Sequence, residues 1–104
     1  MPFNAEQTEK QMLESVKAAL GDEWPKIKDS MKQVLKDERE ALDRIAAARI
    51  SGKITDDDLK SQLEDEKEAF AAGLSMVKAV GKAATQKAVN AALDTFWKAV
   101  MAAV

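Results

Sequence analysis

The most constraining feature of this sequence is a short turn near its middle, between two long segments of helical periodicity. Gly52 can take the left-handed conformation that ends a helix, and Thr55 followed by Asp58 is the pattern of a helix N-cap. Aspartates fill positions 56–58, at the positive end of the next helix dipole. Because so short a connection makes its helices antiparallel neighbours, the turn predicts a helical hairpin.

The segment before this turn divides into two predicted helices. Asn4 is a suitable N-cap, and apolar residues recur at helical spacing from there to Leu20. Gly21–Pro25 then interrupts the pattern, because the glycine favours a helix end and the proline is tolerated only in a first turn. The sequence therefore predicts helices over 5–20 and 24–51.

The apolar stripe of the second predicted helix contains one carboxylate. The stripe advances in steps of three and four residues through Trp24, Ile27, Met31, Val34, Leu35, Leu42, Ile45 and Ala46. Glu38 falls on this stripe, so the apolar packing seam of this helix is expected to be interrupted there.

A third helix is predicted over 56–102, because no proline follows Pro25 and nothing forces an earlier end. The arms 5–51 and 56–102 would each be about 70 Å long at ~1.5 Å per residue. The matched lengths favour a long antiparallel hairpin. A compact bundle is the alternative, folded at Gly21–Pro25 and at Gly73 or Gly81, since each glycine costs a helix about 1 kcal/mol.

The chain is expected to form a single all-α domain over 1–104 with two unlike segments. Charged residues are dense over 1–68, whereas 69–104 is Ala-rich and holds four lysines and one aspartate. Within the Ala-rich segment a narrow polar stripe lies among mostly apolar residues; it comprises Lys78, Lys82, Gln86, Asn90, Asp94 and Lys98. A helix so broadly apolar must be covered by something.

Two kinds of surface could cover this apolar helix. Burial against a second copy would let the small residues of the segment pack closely, giving a homo-oligomer, with a dimer favoured, and a four-helix-type bundle. Alternatively, the helix would lie on a membrane surface with Phe96 and Trp97 as anchors. Burial is favoured. The candidate interaction surface comprises Leu13, Val16, Leu20, Trp24, Leu74, Val77, Gly81, Ala84, Ala88, Ala92, Phe96, Trp97 and Val100.

The residue types that this chain lacks limit the kinds of active site and metal centre that it can form. The chain has no cysteine, histidine or tyrosine, so the commonest thiolate, imidazole and phenol groups of active sites and metal centres are absent. Bundle di-metal sites need a Glu-x-x-His pair, which this composition cannot supply. No catalytic, cofactor-binding or metal-ligating residue is assigned, and the protein is expected not to be an enzyme.

The turn also resembles the second half of a calcium-binding EF-hand loop, in the segment Gly52-Lys53-Ile54-Thr55 followed by Asp58. The register does not fit, because the first, third and fifth ligand positions would be Ala47, Arg49 and Ser51, and an arginine repels the ion. Capping of a helix explains the same residues.

The remaining expectations concern partners and location. The net charge is −2 and the lysines are interspersed with acids, so nucleic acid is not an expected partner. No signal peptide is visible, and the longest uncharged run, Ala69–Val77, is too short to span a bilayer. The sequence thus predicts a cytoplasmic protein that acts by self-association, by binding another protein or by scaffolding, with membrane-surface binding as the alternative.

Overall fold

The computed structural model of the chain describes residues 3–75, 77 and 80–104. Its helices are α1 (Ala5–Leu20), α2 (Trp24–Asp37), α3 (Arg39–Ile50), α4 (Asp56–Leu74) and α5 (Lys82–Ala103), with a 3-10 turn at Gly21–Glu23. The described residues contain no strand. The predicted all-α class is confirmed.

The helix starts predicted from local sequence are present. The Asn4 side chain accepts a hydrogen bond from the Gln7 backbone N–H at 2.9 Å, which caps α1. Gly21 has φ +54°, in the left-handed region that favours glycine, and Pro25 lies in the first turn of α2. The first two helices therefore meet where the sequence placed their boundary.

The predicted helix over 24–51 is interrupted at one residue, Glu38. Its backbone, at φ −95° and ψ 3°, lies outside the α-helical region and separates α2 from α3. Backbone hydrogen bonds still cross the interruption, from Glu38 N–H to the Val34 carbonyl at 2.9 Å and from Leu42 N–H to the Glu38 carbonyl at 3.0 Å. α2 and α3 thus form one arm with a local irregularity.

The turn between α3 and α4 confirms the strongest local prediction. Gly52 has φ +81°, and Thr55 and Asp58 form a reciprocal capping box. Arg49 donates to Asp56 at 2.6 Å, which joins the end of α3 to the start of α4. Arg49, which would be a ligand in the calcium-loop alternative, thus lies within a helix.

The continuous helix predicted over 56–102 is wrong. α4 ends at Leu74, and α5 begins at Lys82 with Gly81 as its N-cap. The molecule measures 41 × 23 × 19 Å, so the extended hairpin of about 70 Å arms is also wrong. The compact bundle is confirmed: its radius of gyration of 13.2 Å matches the ~13 Å expected of a folded chain this long.

The helices α1, α2–α3, α4 and α5 form an up-and-down bundle. Lys60 and Trp97 line one end of the α4–α5 groove, whereas Ala71 and Gln86 line the other, so these helices are antiparallel. α4 also packs against α2 and α3, and α1 packs along α5.

The Ala-rich segment is covered by α1 of the same chain. The residues of α5 buried in the core are Ala88, Val89, Ala92, Leu93, Phe96 and Val100, and those of α1 are Thr8, Met12, Val16 and Leu20. The hydroxyls of Ser15 and Thr95 are 2.6 Å apart across this contact, and the Phe3 ring packs edge-on against Phe96. Folding back of α5 thus covers the face for which the sequence predicted a second subunit.

Candidate interaction surface

A groove between α1 and α2 combines apolar and basic side chains on the surface of the bundle. We call it the lysine-rimmed groove, and its residues are Lys10, Leu13, Glu14, Lys17, Trp24, Lys28 and Lys32. Leu13 and Trp24 are half-buried and pack against the core. The groove therefore presents an apolar floor with charge along both edges.

Helical spacing explains why these residues meet. On α1, Lys10, Leu13 and Lys17 are three and four residues apart and share one face, next to the face that buries Met12 and Val16. On α2, positions 24, 28 and 32 repeat every four residues and form the opposing edge. The Gly21 turn brings the two stripes together, because it makes α1 and α2 neighbours.

The charge of this groove is uneven. Four of its five charged residues are lysines, all exposed, and Glu14 is the exception. None of these lysines forms an ion pair with a described residue; the ion pairs of the described ranges involve Lys26, Arg39, Arg49 and Lys67. The four lysines and one glutamate give the groove residues a net positive charge, on a chain whose net charge is −2.

A second groove lies between α4 and α5. Its apolar residues are Leu63, Leu93 and Trp97, and its charged residues are Lys60, Lys67 and Asp94. Lys67 is 3.2 Å from Glu64, so some of its charge is neutralised by its own helix. This groove carries a weaker positive charge than the lysine-rimmed groove.

The residues predicted as an interaction surface do not all lie on the surface. Those buried in the core are Val16, Leu20, Leu74, Ala88, Ala92, Phe96 and Val100. Those half-buried are Leu13, Trp24, Val77, Ala84 and Trp97, and Gly81 is exposed. Leu13 and Trp24 lie together in one groove, and Trp97 lies in the other. Lys78, on the predicted polar stripe, lies outside the described residues.

The lysines of the groove were missed by the sequence prediction, which followed apolar residues alone. The signal was present: Lys10 and Lys17 flank Leu13 at helical spacing, and Lys28 and Lys32 continue the stripe of Trp24. Their meeting depends on the pairing of α1 with α2, which spacing within either helix does not specify.

The described residues form neither a cluster of metal-ligating side chains nor a helix that could span a membrane. Within 3–75, 77 and 80–104, no group of three acidic side chains is placed to hold a metal ion. Among the described helices, none combines the length and apolar character needed to cross a bilayer. Comparisons of the chain with protein families, curated proteins and solved structures found no match.

Proposed function

We propose that this chain is a non-enzymatic interaction protein whose lysine-rimmed groove binds an acidic amphipathic helix of another protein. The observation that carries the proposal is the placement of four exposed lysines around Leu13 and Trp24. An amphipathic helix seats its apolar face in such a groove, and acidic residues on its flanks would meet the lysines. Charge complementarity of this kind mainly raises the association rate and selects the partner.

Self-association, with a dimer favoured, stays a prediction. Its basis in the sequence was an uncovered Ala-rich face, and α1 covers that face within the chain. A homo-oligomer would therefore have to use the outer surface of the bundle. Sedimentation equilibrium at micromolar concentrations measures this directly, and a strict monomer would remove self-association from the proposal.

Membrane-surface binding is the competing proposal, now for a different surface. Phe96 was one of its expected anchors, and its side chain is only 1% exposed. Lysines beside Trp24 resemble an interfacial anchor, so vesicles of anionic lipid are the probe for this alternative. A cytoplasmic location likewise stays a prediction, to be measured by fractionation of cells.

The binding test uses Trp24 as its own reporter. The chain has two tryptophans, so Trp97→Phe leaves Trp24 as the sole indole. The ligand is a synthetic helical peptide with a leucine stripe flanked by glutamates, and its scrambled form is the control. We expect a blue shift of Trp24 emission with the amphipathic peptide, and a Kd that weakens as salt is raised.

Charge reversal separates the groove from general attraction to acids. We expect the double variant Lys28→Glu and Lys32→Glu to weaken binding by about tenfold or more at low salt. The matched control reverses Lys36 and Lys53, which are exposed but do not line the groove. Equal weakening of peptide binding by both pairs of substitutions would reject the groove as the binding site. Binding of anionic vesicles without binding of the peptide would favour the membrane proposal.

A further inference from the structure

One residue of α4 interrupts the apolar seam that faces α2 and α3. Glu66 lies three residues after Leu63 and four before Phe70, and both of these neighbours are buried. Positions three and four apart share a helix face, so the Glu66 side chain belongs to the same seam. A carboxylate at such a position must lose some of its hydration when the bundle forms.

Glu38 occupies the matching position on the opposite arm. It lies three residues after Leu35 and four before Leu42, which are both buried, and it marks the interruption between α2 and α3. α4 packs against both of these helices. The Glu38 carboxylate lies close enough to Glu66 to influence its ionisation, and Glu38 is the only irregular backbone position between Trp24 and Ile50.

The hydrogen bonding of Glu66 is incomplete if it is ionised. Its Oε2 atom is buried and has no hydrogen-bond partner among the described residues. Ionised carboxylates only accept hydrogen bonds, so Glu38 cannot satisfy Glu66 until one of the two carries a proton. A protonated Glu66 would donate to Glu38 and supply the missing bond.

The surroundings of Glu66 favour the protonated form. The charged groups that face it are Glu38 at the α2–α3 junction, Asp65 on its own helix and Arg44 on α3. Burial, the close approach of the Glu38 carboxylate and the negative charges of Glu38 and Asp65 together raise the pKa of Glu66 to about 7. Arg44 opposes this shift but does not cancel it.

We propose that Glu66 holds a proton that it donates to Glu38 across the seam between α2–α3 and α4, and that losing this proton loosens the packing of α4. Without the proton, two negative charges face each other in a partly buried position beside the interruption at Glu38. The proton therefore stabilises the packing of α4 against α2–α3. Separation of these helices would expose the apolar residues beside Glu66.

The direction of the pH effect follows from the two pKa values of Glu66. Its ordinary pKa is 4.5, and its pKa in the folded chain is about 7. Glu66 therefore binds its proton more tightly when α4 is packed against α2–α3 (the closed state) than when α4 has separated from them (the opened state). The closed state is therefore most stable in acid. Its stability falls as the pH rises from about 4.5 and is lowest above about 7.

The test measures titration and opening separately in the full-length chain. Side-chain carboxyl NMR should show Glu66 titrating near pH 7, and Glu66→Gln should remove that transition. Hydrogen exchange in α4, corrected for intrinsic rates, should show up to about tenfold more opening at pH 8 than at pH 6. In Glu66→Gln this pH dependence should disappear.

Two further variants keep the test decisive. Glu68→Gln changes an exposed carboxylate on the same helix and should behave like the unmodified chain. Glu38→Gln removes the partner charge and should bring the pKa of Glu66 down towards its ordinary value, even if Glu66→Gln fails to fold. A Glu66 that titrates near 4.5, or opening of α4 that does not change with pH, would overturn the proposal.

Discussion

The backbone of α4 at Gly73 lies so close to Val34 of α2 that a Cβ atom on residue 73 would be 2.5 Å from Val34 Cγ2. Real Cβ atoms essentially never come so close to another carbon. An added Cβ would therefore force Val34 or the α4 backbone to shift, so packing rather than backbone conformation disfavours a larger residue here. The sequence marks Gly73 as a weak point of a helix, whereas the structure uses it as a point of contact.

We expect Gly73→Ala to lower the free energy of unfolding by about 1–2 kcal/mol, because overlap with buried Val34 outweighs a gain of about 1 kcal/mol in helix propensity. Urea unfolding followed by circular dichroism measures the change. Val34→Ala should cost less in the Gly73→Ala background than in the original chain, since the smaller side chain removes the overlap. Stabilisation by Gly73→Ala would contradict the close approach.

Gly81 offers the opposite case. It is the N-cap of α5, its φ of −71° suits any residue, and no atom lies within 4 Å of an added Cβ. No side chain caps this helix at present. We expect Gly81→Asp to raise the free energy of unfolding by about 1 kcal/mol, because the carboxylate accepts backbone N–H bonds and complements the helix dipole. Gly81→Ala, which adds no acceptor, should not stabilise and serves as the control.

The capping box of α4 makes a prediction about titration as well as stability. The Thr55 N–H donates to Asp58 at 3.0 Å, and the Thr55 hydroxyl accepts from the Asp58 N–H at 3.1 Å. The backbone N–H of Thr55, and next its side chain, hold the pKa of Asp58 below its ordinary value of 3.8. This stabilisation is present above pH 3.8 and is lost as the pH falls below it.

We therefore expect Thr55→Ala to cost about 1 kcal/mol at neutral pH and to move the pKa of Asp58 some of the way back, since the backbone bond remains. Thermal unfolding measures the first effect and carboxyl NMR the second. Thr85→Ala is a matched control, because its hydroxyl bonds to the Gly81 carbonyl but caps no helix start. An unchanged pKa of Asp58 would contradict the role given to the Thr55 hydroxyl.

Replacing Glu66 by leucine should complete the apolar seam. Because the pKa of Glu66 is raised to about 7, its cost to folding is greatest above neutral pH and small near pH 4. Allowing for its partial exposure, we expect Glu66→Leu to stabilise the chain by about 1–2 kcal/mol at pH 8 and by less at pH 5. Urea unfolding at the two pH values gives the comparison, and equal effects at both would contradict the raised pKa.

Some features of the site and of the fold could not be predicted, for reasons visible at particular residues. Nothing near Leu74 forces a helix to end, because glycine costs a helix only about 1 kcal/mol. Reversal of the chain after Leu74 lets Phe96 and Val100 bury against α1, and burial of each such side chain is worth about 1.5–3 kcal/mol. The free energy gained by burying these side chains therefore exceeds the local preference for one long helix.

The sequence by itself determined the features that depend on a few neighbouring residues: the start of α1 at Asn4, the boundary at Gly21 and the turn from Gly52 to Asp58. Caps, glycine conformations and helix dipoles act within one or two helical turns, so they can be recognised locally. The tertiary structure decided what covers α5, which lysines meet beside Trp24, and that Glu38 faces Glu66. Those relationships join residues far apart in the chain, as Ser15 and Thr95 are, and only the packing of whole helices brings them together.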